Sequence, residues 1–169
     1  MLRPVAVVLC VSQIGCSALL DFSDNAIPKD APPDVFTVAE CTFAEPNDTF
    51  ETAVAYTPGD AAMAALCADG FQDKDFYKIT VPAATTTLTV GINFAQLGGD
   101  LDLHLYDSAG VELGFSAGSL DNEKIVCPGT APACALGMTP PIPEGDYIFE
   151  VRGLANVQNT YTIDVTFGM

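Results

Sequence analysis

Between Gly98 and Gly110 the chain reads Gly-Gly-Asp-Leu-Asp-Leu-His-Leu-Tyr-Asp-Ser-Ala-Gly. Leu101, Leu103 and Leu105 alternate with Asp102, His104 and Tyr106. A period of two commits the segment to a strand with one face in a core and the other toward water. Asp107-Ser108-Ala109-Gly110 then predicts a tight turn, because Asp and Ser bond their own backbone and Gly accepts a positive φ. Val111, Leu113 and Phe115 resume the alternation, so a hairpin is expected.

The same period recurs along the chain. It runs through Tyr77, Ile79 and Val81, through Leu88, Val90, Ile92 and Phe94, and through Ile125 and Cys127. It returns in Tyr147, Phe149 and Val151, and in Tyr161, Ile163, Val165 and Phe167. Gly, Pro, Asn and Asp separate these runs. No stretch of helical period follows residue 70, and no internal repeat is found. Short alternating strands with such punctuation predict an all-β fold, an antiparallel β-sandwich. Two earlier segments read both ways. Glu51 to Tyr56 suits a helix or a weak strand, and Ala61 to Cys67 is helical by propensity and a strand by context.

Residues 1–15 read as an export signal, with Arg3 ahead of a mostly apolar run from Val5 to Ile14. That run is too short for a spanning helix, which needs about 20 apolar residues. It ends in Gln13-Ile14-Gly15-Cys16, which resembles the lipobox of bacterial lipoproteins. This implies acylation of Cys16 and an outer-membrane or cell-surface location, the membrane being touched only through that anchor. Each buried CH₂ of an acyl chain adds about 0.8 kcal/mol. The alternative is an ordinary signal peptide cleaved nearby. Residues 16–40, with Pro28, Pro32 and Pro33 and little periodicity, read as a flexible tether; a first strand near Val35–Val38 is the alternative. The folded domain is expected over residues 41–169.

Four cysteines lie in that domain: Cys41, Cys67, Cys127 and Cys134. An even number in an exported chain implies disulfides, and four allow three pairings. Cys41–Cys67 with Cys127–Cys134 is favoured, since Pro128 to Ala133 turns back on itself. Closing the loop from Cys41 to Cys67 contributes roughly 3–4 kcal/mol in the chain-entropy model. A zinc site does not suit this spacing, for there is no Cys-x-x-Cys and the one His lies elsewhere.

Acidic residues number 22 against 6 basic, a net charge of −16. Such a chain repels nucleic acid, whose binding needs Lys and Arg to displace counterions, and anionic lipid surfaces. The charge serves solubility through self-repulsion, or it marks a cation site.

Five stretches in order resemble one family. They are Glu45-Pro46-Asn47-Asp48-Thr49, then Asp73-Lys74-Asp75-Phe76-Tyr77, then Asp100 to Asp107 with Gly110, then Gly145-Asp146-Tyr147 with Val151, and Tyr161-Thr162-Ile163. Over residues 41 to 169 they resemble the bacterial pre-peptidase C-terminal domain, which is similar to the collagen-binding domain of clostridial collagenases. The resemblance implies a jelly-roll-like sandwich. It also implies a calcium site on Glu45, Asn47, Asp48, Asp73 and Asp75. Calcium takes six to eight oxygens, which carboxylates, amides and turn carbonyls supply. The alternative is a Pro46-Asn47 turn with solvated Asp73 and Asp75. Asp100 and Asp102 form a weaker second candidate.

No catalytic centre is expected. Gly114-Phe115-Ser116-Ala117-Gly118 matches a nucleophile elbow in letters, but the elbow needs a helix after it and a His later in the chain. His104, Asp107 and Ser116 fall within one hairpin, too short for a two-barrel protease; His104 is expected on the wet face. Tyr106, Phe76 and Phe115 are outward candidates for aromatic contacts, with ordinary packing the alternative. The expected function is a non-enzymatic cell-envelope binding or adhesion module, calcium-stabilised, recognising extracellular protein or polysaccharide. The alternative is an accessory subunit docking to a separate secreted hydrolase.

Overall fold

The alternating segments are strands in a computed structural model of the chain, which describes residues 45–60, 63–67, 73–129, 134, 140–154 and 157–169. These residues form β1 (Val54–Ala55), β2 (Met63–Leu66), β3 (Lys74–Val81), β4 (Thr87–Phe94) and β5 (Leu101–Asp107). They continue with β6 (Glu112–Ser116), β7 (Asn122–Cys127), β8 (Gly145–Gly153) and β9 (Asn159–Gly168). Of the two ambiguous segments, the first splits into a 3-10 turn, Phe50–Thr52, followed by β1. Part of the second is β2.

Two sheets result, one in the order β1-β3-β8-β5-β6 and the other β2-β9-β4-β7. From β2 to β9 every connection crosses between sheets, apart from the β5–β6 hairpin. That is the winding of a jelly roll. Pairing is antiparallel throughout save one feature the sequence did not announce: the two-residue β1 runs parallel to β3, Val54 opposite Tyr77.

The alternation decides what is buried. Leu101, Leu103 and Leu105 face inward with Tyr77, Ile79 and Val81, and with Tyr147, Phe149 and Val151, against Leu88, Val90, Ile92, Tyr161, Ile163 and Val165 of the other sheet. Each such side chain contributes about 1.5–3 kcal/mol by leaving water. At the β5–β6 turn Asp107 Oδ1 accepts from the backbone N–H of Ala109 at 2.9 Å and of Val111 at 2.8 Å. Gly110 there takes φ +81°, the left-handed conformation that favours glycine.

His104 departs from expectation. It sits on the outer side of its sheet yet is only 4% exposed. Its ring stacks on Phe115 at 5.6 Å, and Nδ1 lies 3.1 Å from Glu112 Oε2. Aromatic neighbours on β5 and β6 cover it, so period two predicted its side but not its burial.

Cys127 and Cys134 are bridged, with Cα atoms 5.5 Å apart. Cys67 is also disulfide-bonded; its expected partner Cys41 lies outside the described residues, as do the signal, the tether and Cys16. No helix among the described residues is long and apolar enough to cross a membrane.

Candidate metal centre

One end of the sandwich collects the acidic segments. There β3 begins opposite the end of β8, Lys74 against Arg152. On the other sheet β2 ends opposite the start of β9, Leu66 against Asn159. Asp73 and Asp75 flank the first residue of β3. Asp75 is in phase with Tyr77, Ile79 and Val81, so its carboxylate points inward and is only 2% exposed. The segment from Glu45 is held alongside, because Phe76 N–H donates to the Asn47 carbonyl at 2.9 Å.

The structure brings three of the expected ligands into one place. Carboxylate oxygens of Glu45, Asp73 and Asp75 lie within 4.8 Å of one another. Asn47 is fully buried among them. One end of its amide lies 3.2 Å from Asp75 Oδ1 and 3.0 Å from Glu45 Oε2. With nitrogen turned inward the amide donates to both. With oxygen inward it adds a third acceptor to two others, an arrangement that a proton on Asp75 or a bound cation stabilises. Its backbone N–H donates to Glu45 Oε2 at 3.1 Å. Asp48, the fifth expected ligand, is exposed and lies near enough to Asp73 to raise that carboxyl.

Burial raises the Asp73 carboxyl above the ordinary carboxylate range; the N–H of Cys67, donating to Asp73 Oδ2 at 2.6 Å, opposes that, and Asp48 adds to it. For Asp75 burial is again the largest cause. The Tyr161 hydroxyl donates to Asp75 and opposes the rise, while the like charges of Asp73, Glu45 and Asp48 reinforce it. The result is a pKa pushed up to about 8. Among the described residues Lys74, Lys78 and Arg152 make their ion pairs with Glu150 and Asp146 instead. A buried carboxylate set among other carboxylates keeps a proton or takes a metal.

The donor set suits a hard cation. Three carboxylates and an amide oxygen are calcium ligands by type, and nearby turn carbonyls and water complete such shells. No thiol or imidazole competes within the cluster, which disfavours zinc.

Sequence reading missed the tyrosines beneath. Tyr161 Oη bonds Asp75 and also meets Tyr77 Oη at 2.8 Å. Both hydroxyls are buried, and burial raises both above the ordinary tyrosine range. A carboxylate in phase with core residues was the available signal, since an inward Asp needs inward donors.

The remaining candidates separate. Asp100 accepts from Gln96 Nε2 at 2.9 Å, and Asp102 does not join the carboxylate group. Ser116 Oγ donates to Glu123, which also accepts from Gly118 N–H at 2.6 Å. Ser116 is paired with Leu103 and His104 with Phe115, so serine and histidine face opposite sides of the sheet. Of the outward aromatics, Phe76 is buried, and Tyr106 is covered edge-on by Phe50 at 6.2 Å and donates to Glu150 at 2.6 Å.

No protein-family model matches the chain, and a search of curated proteins finds no match. Among solved structures it is similar to the pre-peptidase C-terminal domain of collagenase from Bacillus anthracis. The likeness has a TM-score of 0.50 at 14% identity and covers 68% of this chain and 94% of that one. A second similar structure is a periplasmic inhibitor of g-type lysozyme from Aeromonas hydrophila, with TM-score 0.33, 13% identity, and 68% and 96% covered. The first likeness agrees with the jelly-roll winding described above.

Proposed function

We propose that this chain is an exported, non-catalytic binding module of the cell envelope, in which calcium fixes the acidic end of a β-sandwich that contacts extracellular protein or polysaccharide. A lipid on Cys16 would tether it. One observation carries the reading: carboxylate oxygens of Glu45, Asp73 and Asp75 converge around a buried Asn47 amide. Like charges held together in a low-dielectric place repel, and their assembly makes sense if a counter-charge joins them. Glu45 and Asn47 belong to the segment before β1, and Asp73 and Asp75 to the start of β3. A shared ion would lock these two segments to each other and to the bond at Cys67.

The β5–β6 hairpin supports the non-catalytic reading. Ser116 and His104 do not face each other, and each is engaged by a different glutamate.

The test is a thermal melt in chelator and then with calcium. A ligand at one hundred times its dissociation constant stabilises by about 2.7 kcal/mol. Extracellular calcium modules bind at about 10⁻⁴–10⁻³ M, so millimolar calcium should raise the melting temperature and magnesium should do so less. No shift at millimolar calcium refutes the metal centre. Retention on an isolated extracellular polymer supports the module; retention only with a secreted hydrolase present would support an accessory subunit.

A further inference from the structure

Three leucines project into water at the end of the sandwich that holds the acidic cluster. Leu97, between β4 and β5, is 104% exposed; Leu120, between β6 and β7, 69%; and Leu154, just past β8, 66%. Their backbones are tied together. Gln96 N–H donates to Asp121 Oδ1 at 2.8 Å, and Leu154 N–H to the Asp100 carbonyl at 3.1 Å. Asn159 Nδ2 donates to the carbonyls of Ala95 and Gly99, each at 2.8 Å.

Two glycines after Leu97 let the backbone approach its neighbours closely. A Cβ on Gly98 would meet Asn159 Oδ1 at 2.8 Å, and one on Gly99 would strike Val157. Gly99 also takes φ +138°. The backbone at Gly98 and Gly99 therefore packs close against Asn159 and Val157. An apolar tip in water gains burial energy on docking, and the held backbone limits the ordering cost to the side chain itself.

Charge selects the occupant. Residues 95–100, 117–121 and 154–158 contain no Lys or Arg, while Asp100 and Asp121 stand among the leucines. The end beneath adds Glu45, Asp48 and Asp73, while Lys74 and Arg152 at that end are paired with Glu150. A second copy would bring a like charge of −16 against it. A bilayer interface is served by Trp, Tyr, Lys and Arg, which these connections lack.

We propose that Leu97, Leu120 and Leu154 are the anchors of a docking surface for a cationic protein surface whose apolar sockets receive them. This rests on the binding-module reading above and gives that module its contact face.

The test is titration of the isotope-labelled protein, loaded with calcium, against an alternating Leu-Lys peptide and a Ser-Lys peptide of equal length and charge. The Leu-Lys peptide is expected to shift the amides of Leu97, Leu120 and Leu154 and to bind about tenfold or more tighter than Ser-Lys. The triple variant Leu97→Asp, Leu120→Asp, Leu154→Asp, checked by its melt, should lose that preference; if it does not fold, Leu97→Ser alone should weaken it. Equal binding of the two peptides, binding to neither, or a preference untouched by the leucine variants overturns the proposal. So does leucine-dependent binding to phosphatidylcholine vesicles without peptide binding, which assigns the tips to lipid. Leucine-dependent self-association in sedimentation without peptide binding assigns them to a second copy and also overturns it. A calcium melt shift that survives a failed peptide test removes the docking face alone; loss of both removes the module as well.

Discussion

Replacing Asp75 by Asn removes the ionisable carboxyl at the centre of the acidic end and keeps the shape. In the folded protein the Asp75 carboxyl holds its proton up to about pH 8, mainly through burial; unfolded, it titrates near 3.8. Between those values the folded state binds more protons than the unfolded state, so stability falls as pH rises through that window. At 1.36 kcal/mol per pKa unit the whole interval amounts to about 6 kcal/mol at most. In chelator the wild type should therefore lose stability from pH 5 to pH 8. Asp75→Asn has no such proton to lose. Its oxygen still accepts from Tyr161, and its new N–H₂ donates to the Asn47 amide once that amide turns its oxygen inward. The variant should be nearly flat over the same range and more stable than wild type at pH 8 in chelator. Calcium should restore the wild type at pH 8 and do little for the variant. Urea unfolding followed by circular dichroism at pH 5, 6.5 and 8, with chelator and with calcium, reads all of this. A pH-independent wild type, or a variant that calcium stabilises equally, refutes both the buried charge and its role.

Tyr161→Phe leaves Asp75 without its hydroxyl donor and should cost about 1–3 kcal/mol in urea unfolding at pH 5. A smaller loss would mean that the Asp75–Tyr161 contact is not structural. Cys127→Ser with Cys134→Ser opens a bridge of sequence separation 7 and should cost about 2–3 kcal/mol, read as a lowered melting temperature. Leu103→Ala, at a fully buried inward position, should cost about 2–5 kcal/mol by chemical denaturation. Gly99→Ala sets a side chain against Val157 at positive φ and should destabilise by about 1–3 kcal/mol, while Gly59→Ala, with open space around it, carries only the backbone penalty.

The order of alternating segments was enough to decide an all-β sandwich, the inward positions of most strands and the hairpin at Asp107. Each of these depends on neighbours along the chain: a two-residue period assigns faces, and Asp and Gly fix a turn locally. The acidic residues were legible as a set, and Asp75 even lay in phase with Tyr77 and Ile79. Their convergence was not, because segment 45–48 and the start of β3 meet only when β1 pairs with β3 and Phe76 captures the Asn47 carbonyl. His104 shows the same division. Period two put it on the outer side of its sheet, but only the flanking rings of Phe115 and Tyr106 took it out of water. The tyrosine pair under Asp75 joins strands 84 residues apart in sequence. Local pattern sets which way a side chain points; what it meets there is a long-range fact, fixed when the two sheets close on each other.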